Sequence, residues 1–334
     1  MEQKKITGHL LALFTIIVWG TTYVSTKILL TDFKPVEILY FRFIMGYVFL
    51  IVLCPHFLKV REKKQELYFM AAGLCGICLY YLLENIALTY TMASNVGVII
   101  SVAPFFTAIL AQIFLKTEKL QLPFFVGFVV AMVGIVLLSF NGARMELNPL
   151  GDILAFLAAL EWACYSILTR KIGSFGYSVI LTTRRTFFYG ILFMIPSLFF
   201  ADFRWGLSRF ANTTYLLNIF YLGLGASALC FVTWNTAVKV LGAVKTSVYI
   251  YIVPVVTVVT SVFILHEKIT AISAVGIALT LAGLFLSEGK IGNRRKNHGT
   301  DTDTEIKTES AGGYDPAVAR QSGEGREAGD GVCL

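Results

Sequence analysis

The sequence predicts an all-α integral membrane protein with ten transmembrane helices, arranged as two inverted five-helix repeats. Three observations carry that expectation. Of the 334 residues, 56% are hydrophobic and only 15% charged, with a mean hydropathy of +0.72, whereas soluble domains carry about 25% charged residues. The apolar residues fall in ten successive runs, each near the roughly 20 residues a helix needs to cross a bilayer core. These runs are continuous rather than alternating with a period of two, which favours helices over barrel strands. Finally, the second half of the chain repeats the first.

The first run, 8–30, contains HLLALFTIIVWGTTYVSTKILL. It follows a basic start but is longer than a signal-peptide core and lacks a small-residue cleavage pattern, so it is expected to be retained. Trp19 and, one turn on, Tyr23 sit mid-span rather than in the interfacial belts where aromatics collect. A mid-span indole costs little if its N–H finds a partner in a cavity, and core packing is the equal alternative. The run 37–57 holds Arg42 within about two turns of its start. Such a side chain snorkels to headgroups, pairs across helices, or attracts an anionic group.

The run 67–88 ends in LYYLLENIAL, where Glu84 and Asn85 stand together in apolar surroundings. They are placed at or just inside the outer boundary. An amide there ties helix ends together, and polar residues between membrane helices contribute about 0.6 kcal/mol on average. A carboxyl group inside a span is costly unless paired or protonated and marks a proton or substrate path. Glu84 is therefore expected either to line a cavity and titrate during a working cycle or to pair with Lys27 or Arg42. Earlier in this run Cys75 and Cys78 form a CxxC. With no second pair, it reads as packing rather than a metal site.

Along the run 93–115, Ser94, Ser101, Ala108 and Gln112 keep nearly one helical face, which usually means close helix contact. Pro104 removes a backbone hydrogen bond mid-helix, tolerated where water or another helix satisfies the freed carbonyl, so this helix is expected beside a wet pathway. The run 122–140 carries Gly127 and Gly134 on one face for tight packing. The run 150–170 repeats the mid-span aromatics as Trp162 and Tyr165, and 179–200 opens near Arg184 and Arg185. The run 214–236 ends with Trp234 and Asn235 near the inner boundary. Tyr251 stands in 243–265 where Ser101 stands in the fourth run, followed by Pro254, and 271–288 brings Gly276 and Gly283. Glu118 and Glu267 precede runs five and ten, where an acid favours the next helix N-terminus. From 289 the composition turns polar, and 289–334 is expected to be a disordered tail.

The repeat is read by offset. Trp19 falls on Trp162, Lys27 on Arg170 and Arg42 on Arg185 at 143 residues; Gly73 falls on Gly223, Asn85 on Asn235 and Pro104 on Pro254 at 150. Residues 1–142 and 143–288 are thus two copies of one unit. Five helices per unit is odd, so the second copy enters from the opposite side. Inverted pairs of this kind suit alternating access. Lysine and arginine bias sets orientation: sixteen of them, from Lys4 to Lys296, fall on the side of the N-terminus, against Lys34, Arg144, Arg204, Arg209 and Lys268 on the other. Both termini are expected in the cytoplasm, with the protein in the plasma membrane. The net charge of +7 then reflects topology and anionic lipid rather than nucleic acid.

WGTTYVSTK in the first span, the stretch ALTYTMASNVGVIISVAPFFTAILAQIFLKTEKL and its echo AVKVLGAVKTSVYIYIVPVVTVVTSVFILHEKIT resemble the EamA-type members of the drug/metabolite transporter superfamily. The likeness covers about residues 8 to 288. It implies a ten-helix carrier with both termini inside, a central cavity between the halves, and export of amino acids or other small metabolites. The polar tail departs from the pattern.

Together these readings give a substrate cavity of Trp19, Tyr23, Glu84, Asn85, Ser101, Trp162, Tyr165, Trp234, Asn235 and Tyr251. Arg42, Arg184 and Arg185 supply charge at the mouths, and Arg184 is where an acidic substrate would be sought. The partners are a small molecule, membrane lipid and, through Glu84, a proton; pairing as a homodimer stays open. No cofactor or catalytic group is expected. The four histidines (9, 56, 266, 298) are scattered, LHEKIT is not HExxH because position 270 is Thr, and no GxxxxGK[ST] occurs. A membrane enzyme is therefore the weaker rival, and a channel or receptor-like pore the nearer one.

Overall fold

The structure, a computed structural model, describes residues 2–90, 93–115, 122–139, 148–200, 203–265 and 270–288. Glu118, Glu267 and the tail from 289 lie outside the described residues, as do the side chains of Lys27 and Ser94. Among the described residues the chain is helical throughout, without strands. We number the helices α1 (Glu2–Leu29), α2 (Pro35–Leu53), α3 (Lys63–Tyr90), α4 (93–115), α5 (Leu122–Ser139), α6 (Pro149–Gly173), α7 (Val179–Phe200), α8 (Thr213–Leu241), α9 (243–265) and α10 (Ala271–Glu288). α1, α2, α3, α6 and α8 are long and apolar enough to cross a membrane. Several outrun the expected spans, because a polar end still closes its own backbone hydrogen bonds.

The prolines break their helices. α4 stops at Ile100 and resumes at Ala103 with Pro104 in its first turn, while the Ser101 hydroxyl takes the Gly97 carbonyl at 2.7 Å. α9 passes through a tight 3₁₀ stretch, Val248–Tyr251, before Ile252–Leu265, which contains Pro254. α3 and α8 each widen into a π-helical stretch, Leu74–Leu79 and Tyr221–Leu229. Gly242, at φ 100°, allows the sharp passage from α8 to α9.

The helices of the two halves interleave. α1 packs on α8 and α9, and α2 on α8; reciprocally α6 packs on α3 and α4, and α7 on α3. Two groups of four result, α1, α2, α8, α9 and α6, α7, α3, α4, with α2 also crossing α7. Because lipid tails give apolar helices no drive to associate, such contacts rest on close approach and polar links. A Cβ on Gly46 would stand 3.1 Å from the Gly223 carbonyl, and one on Gly73 2.7 Å from the Gly190 nitrogen. Thr15 meets Thr233 at 2.7 Å, and the Trp19 indole N–H donates to the Ala226 carbonyl at 2.9 Å.

α5 and α10 pair with each other. Their glycines face: a Cβ on Gly134 would sit 2.5 Å from the Thr280 nitrogen and 2.7 Å from the Gly276 carbonyl. Large apolar side chains such as Phe114, Phe199, Phe263 and Phe285 stay exposed on the outer faces, as expected of surfaces that meet lipid.

Gly134→Val should therefore separate α5 from α10 and lower stability by about 1–3 kcal/mol, as overpacking does. Gly97→Ala, where nothing stands within 4 Å, should leave the unfolding temperature in detergent unchanged. Equal unfolding temperatures for the two variants would refute the packing assignment.

Candidate functional site

A cavity of about 700 Å³, its open mouth included, lies between the two groups of helices. On α1, Trp19, Thr22, Tyr23 and Thr26 line it; on α3, Tyr80, Tyr81, Glu84, Asn85 and Leu88 do so. Both sets follow the three-and-four spacing of a single helical face. Arg42 of α2, Gly97 and Ser101 of α4, Trp162 of α6 and Ile250 and Val253 of α9 complete the wall. Glu84 and Asn85 thus both line the cavity, the first of the two roles open to Glu84.

Two tryptophans, Trp19 and Trp162, line it, and the third expected there, Trp234, is packed behind them off the wall. Trp19 stands edge-on to Trp162 with ring centres 5.2 Å apart, and Trp234, fully buried behind, lies 5.1 Å from Trp19. The Trp162 indole nitrogen is buried and has no hydrogen-bond partner among the described residues. Donors of this kind are seldom left unpaired.

Acid and base share the cavity. Glu84 is 7% exposed and Arg42 4%. The Tyr80 hydroxyl points at Glu84 Oε1 over a long 3.5 Å, and Tyr23 addresses the same carboxyl group from α1. Arg42 does not snorkel from a mouth. Its Nε donates to Ser227 Oγ at 2.8 Å, and its guanidinium carbon lies 4.8 Å from the Tyr81 ring centre and 5.3 Å from that of Phe43. The reason is local: the α2–α8 contact draws it inward, and stacking on aromatic faces supports a desolvated guanidinium. No ion pair joins Arg42 to Glu84 among the described residues. Buried charges are costly unless satisfied; Arg42 is met by Ser227 and aromatic faces, and Glu84 by tyrosine hydroxyls.

A smaller pocket of about 310 Å³, its open solvent included, lies around the end of α6, the start of α7 and the end of α8, lined by Thr169, Tyr177, Thr182, Asn235 and Lys239 among others. Here the polar groups are engaged. Tyr165 donates to Asn235 Oδ1 at 2.9 Å, and Asn235 Nδ2 donates to Thr183 Oγ1 at 3.0 Å. Arg170 donates to the carbonyls of Val238 and Lys239 at 3.2 and 2.6 Å, and Lys239 Nζ to the Tyr177 carbonyl at 3.2 Å.

The remaining expected residues lie elsewhere. Tyr251 is fully buried, its hydroxyl unpartnered among the described residues, beside Ile250 rather than on the wall. Arg184 donates to the carbonyls of Cys54 and His56, beyond the end of α2. It is therefore committed to backbone rather than waiting for an acidic solute. Arg185 pairs with Glu66 of α3 at 2.7 Å, and Tyr189 donates to the same carboxylate, which is the interhelical salt bridge among the readings for such an arginine. Pro104 and Pro254 stand one turn or less beyond the lining residues Ser101 and Val253.

Sequence reasoning missed Tyr80, Tyr81 and Thr26, although the two tyrosines precede Glu84 by four and three positions and so share its face. It also passed over Glu37. That acid is wholly buried at the start of α2, paired with Arg209 at 2.8 Å and accepting the backbone N–H of Lys34 and Arg204, so that the loop before α8 is stapled to the α1–α2 turn. Among the described residues no three His, Cys, Asp or Glu side chains converge as a metal group.

Comparison with known proteins bears on this architecture. The sequence model of the EamA-like transporter family matches residues 6–140 and 149–288. An uncharacterized transporter of Archaeoglobus fulgidus is 25% identical over 84% of this chain and 97% of its own. The uncharacterized transporter YyaM of Bacillus subtilis is 28% identical over 86% and 96%. A protein of Streptantibioticus cattleyicolor, named as a probable terminal-alkyne amino-acid exporter, is 24% identical over 86% and 95%. A solved crystal structure superposes with a TM-score of 0.68 at 18% identity, covering 84% of this chain and 97% of that one, a likeness of fold.

Arg184→Ala should leave the Cys54 and His56 carbonyls without their donor and cost about 1–3 kcal/mol of stability. Ligand affinity at the cavity should not change. A loss of affinity with unchanged unfolding would place Arg184 in the solute path after all.

Proposed function

The chain belongs to the EamA-like transporter family, and from that premise we propose that it is a secondary-active carrier that exports small zwitterionic metabolites such as amino acids. It is a multi-pass membrane protein, and in this reading it sits in the plasma membrane with both termini in the cytoplasm. The observation that carries the reading is the cavity of Trp19, Tyr23, Arg42, Glu84 and Trp162 between two reciprocally packed groups of helices. Rocking one group against the other about the α2–α7 crossing would expose that cavity first to one face and then to the other. The inverted repeat supports such a motion, because two related halves of opposite sense supply two conformations of similar energy.

The chemistry of the wall favours a zwitterion. A carboxylate would meet the Arg42 guanidinium, an ammonium would meet Glu84 and the ring faces around it, and the Trp162 N–H would find an acceptor. An apolar side chain would rest on the indoles. Direction rests on the exporter named among the relatives and on nothing in the wall itself.

Purified protein in liposomes should show saturable counterflow of a radiolabelled amino acid. Arg42→Ala and Glu84→Gln should each weaken it by tenfold or more, the loss of one charge-assisted bond of about 1.5–3 kcal/mol. Non-saturable flux without counterflow would identify a pore instead.

We further propose that Glu84 exchanges a proton during the cycle, since it is the acid on the cavity wall, and Trp234 stands at the corresponding position of the other half. Transport by the wild type should respond to an imposed pH gradient, and transport by Glu84→Gln should not. The same response in both would end the proton role.

A further inference from the structure

The two cavities share two lining positions that correspond between the repeats, and at one of them the bonding differs. Asn85 of the large cavity and Asn235 of the small one correspond at the 150-residue offset, and Thr26 and Thr169 at 143. Among the described residues no hydrogen bond engages the Asn85 amide, which lines the large cavity. Asn235 is held at both ends. Tyr165 of α6 donates to its oxygen, and its nitrogen donates to Thr183 of α7. Because α8 belongs to one four-helix group and α6 and α7 to the other, this amide spans the boundary between them. Arg170 crosses the same boundary from α6 to the last carbonyls of α8.

We propose that Asn235 and Asn85 are twin latches of the transport cycle, each bridging the two helix groups when its own side is shut and released into the cavity when that side is open. This structure then holds the Asn235 side latched and the Asn85 side free. When the groups rock, Asn235 would leave Tyr165 and Thr183, and Asn85 would meet the corresponding positions of α1 and α2, Thr22 and Tyr40. An amide suits the task because it donates and accepts at once, and it carries no charge to strand in the membrane when released. Arg170 reinforces the latched side. The proposal rests on the carrier reading above and adds the groups that decide which face is open.

The test uses full-length protein in nanodiscs with its native cysteines replaced, carrying one reporter at a time: Leu88→Cys on the large cavity or Val179→Cys on the small one. A water-soluble maleimide reports accessibility. The expected result is fast labelling at 88 and slow labelling at 179. Asn235→Ala should raise the 179-to-88 labelling ratio about three- to tenfold, the weight of one or two interhelical hydrogen bonds, and Asn85→Ala should not raise it. Tyr165→Phe, which breaks the latch without touching the amide, should raise it too, and its effect should not add to that of Asn235→Ala.

Unchanged ratios in Asn235→Ala and Tyr165→Phe, while amino-acid counterflow still proceeds, would overturn the latch and leave the carrier reading standing. Were position 179 never to label in any variant or under counterflow, alternating access itself would fall, and the latch with it. A raised ratio accompanied by a lowered unfolding temperature in Asn235→Ala, but absent from Tyr165→Phe, would reassign the effect to general loosening and refute the latch.

Discussion

Interleaving of the two halves is the constraint on which the rest of the structure depends. In a bilayer the apolar faces gain nothing by leaving lipid, so a bundle holds only where backbones approach closely or polar groups meet. Both devices act between halves. Gly46 meets Gly223 and Gly73 meets Gly190, while Thr15, Trp19 and Arg42 all bond to α8. Each half is thus a partner for the other more than a domain of its own.

That exchange also makes the cavity. α1 and α2 carry Trp19, Tyr23 and Arg42 into one group of helices, and α3 and α6 carry Glu84 and Trp162 into the other, so the lining is shared across the boundary between the groups. Charges buried in such a place cost stability unless satisfied. Arg42 is partly satisfied by Ser227 and Tyr81 and Glu84 by tyrosine hydroxyls. Neither is satisfied by the other. A protein that needed only packing would hold both positions with apolar residues at lower cost.

The corresponding positions Asn85 and Asn235 differ in how they are bonded. Related helices surround a cavity of about 700 Å³ on one side and one of about 310 Å³ on the other. The difference is expressed in bonds such as those of Asn235, Arg170 and Lys239 rather than in a change of fold. Individually these bonds are small, of the order of a kilocalorie or less.

The sequence by itself determined the solvent and the helices. Runs of about 20 apolar residues leave no other way to satisfy a backbone in lipid. Trp19 and Trp162, Asn85 and Asn235, and Pro104 and Pro254 correspond by simple offset, and the helix breaks at the prolines follow from the missing N–H. The acid in LYYLLENIAL was legible as costly and therefore purposeful. Only the tertiary structure decided what each polar group faces. Arg42 turns into the cavity while its twin Arg185 pairs with Glu66 and its neighbour Arg184 closes backbone carbonyls, although all three look alike in a string of letters. The same holds for Tyr251, buried off the wall, and for Tyr80, on it. Helical spacing fixes which residues share a face, but the neighbour of that face is chosen by contacts between distant segments, and no local pattern encodes those contacts.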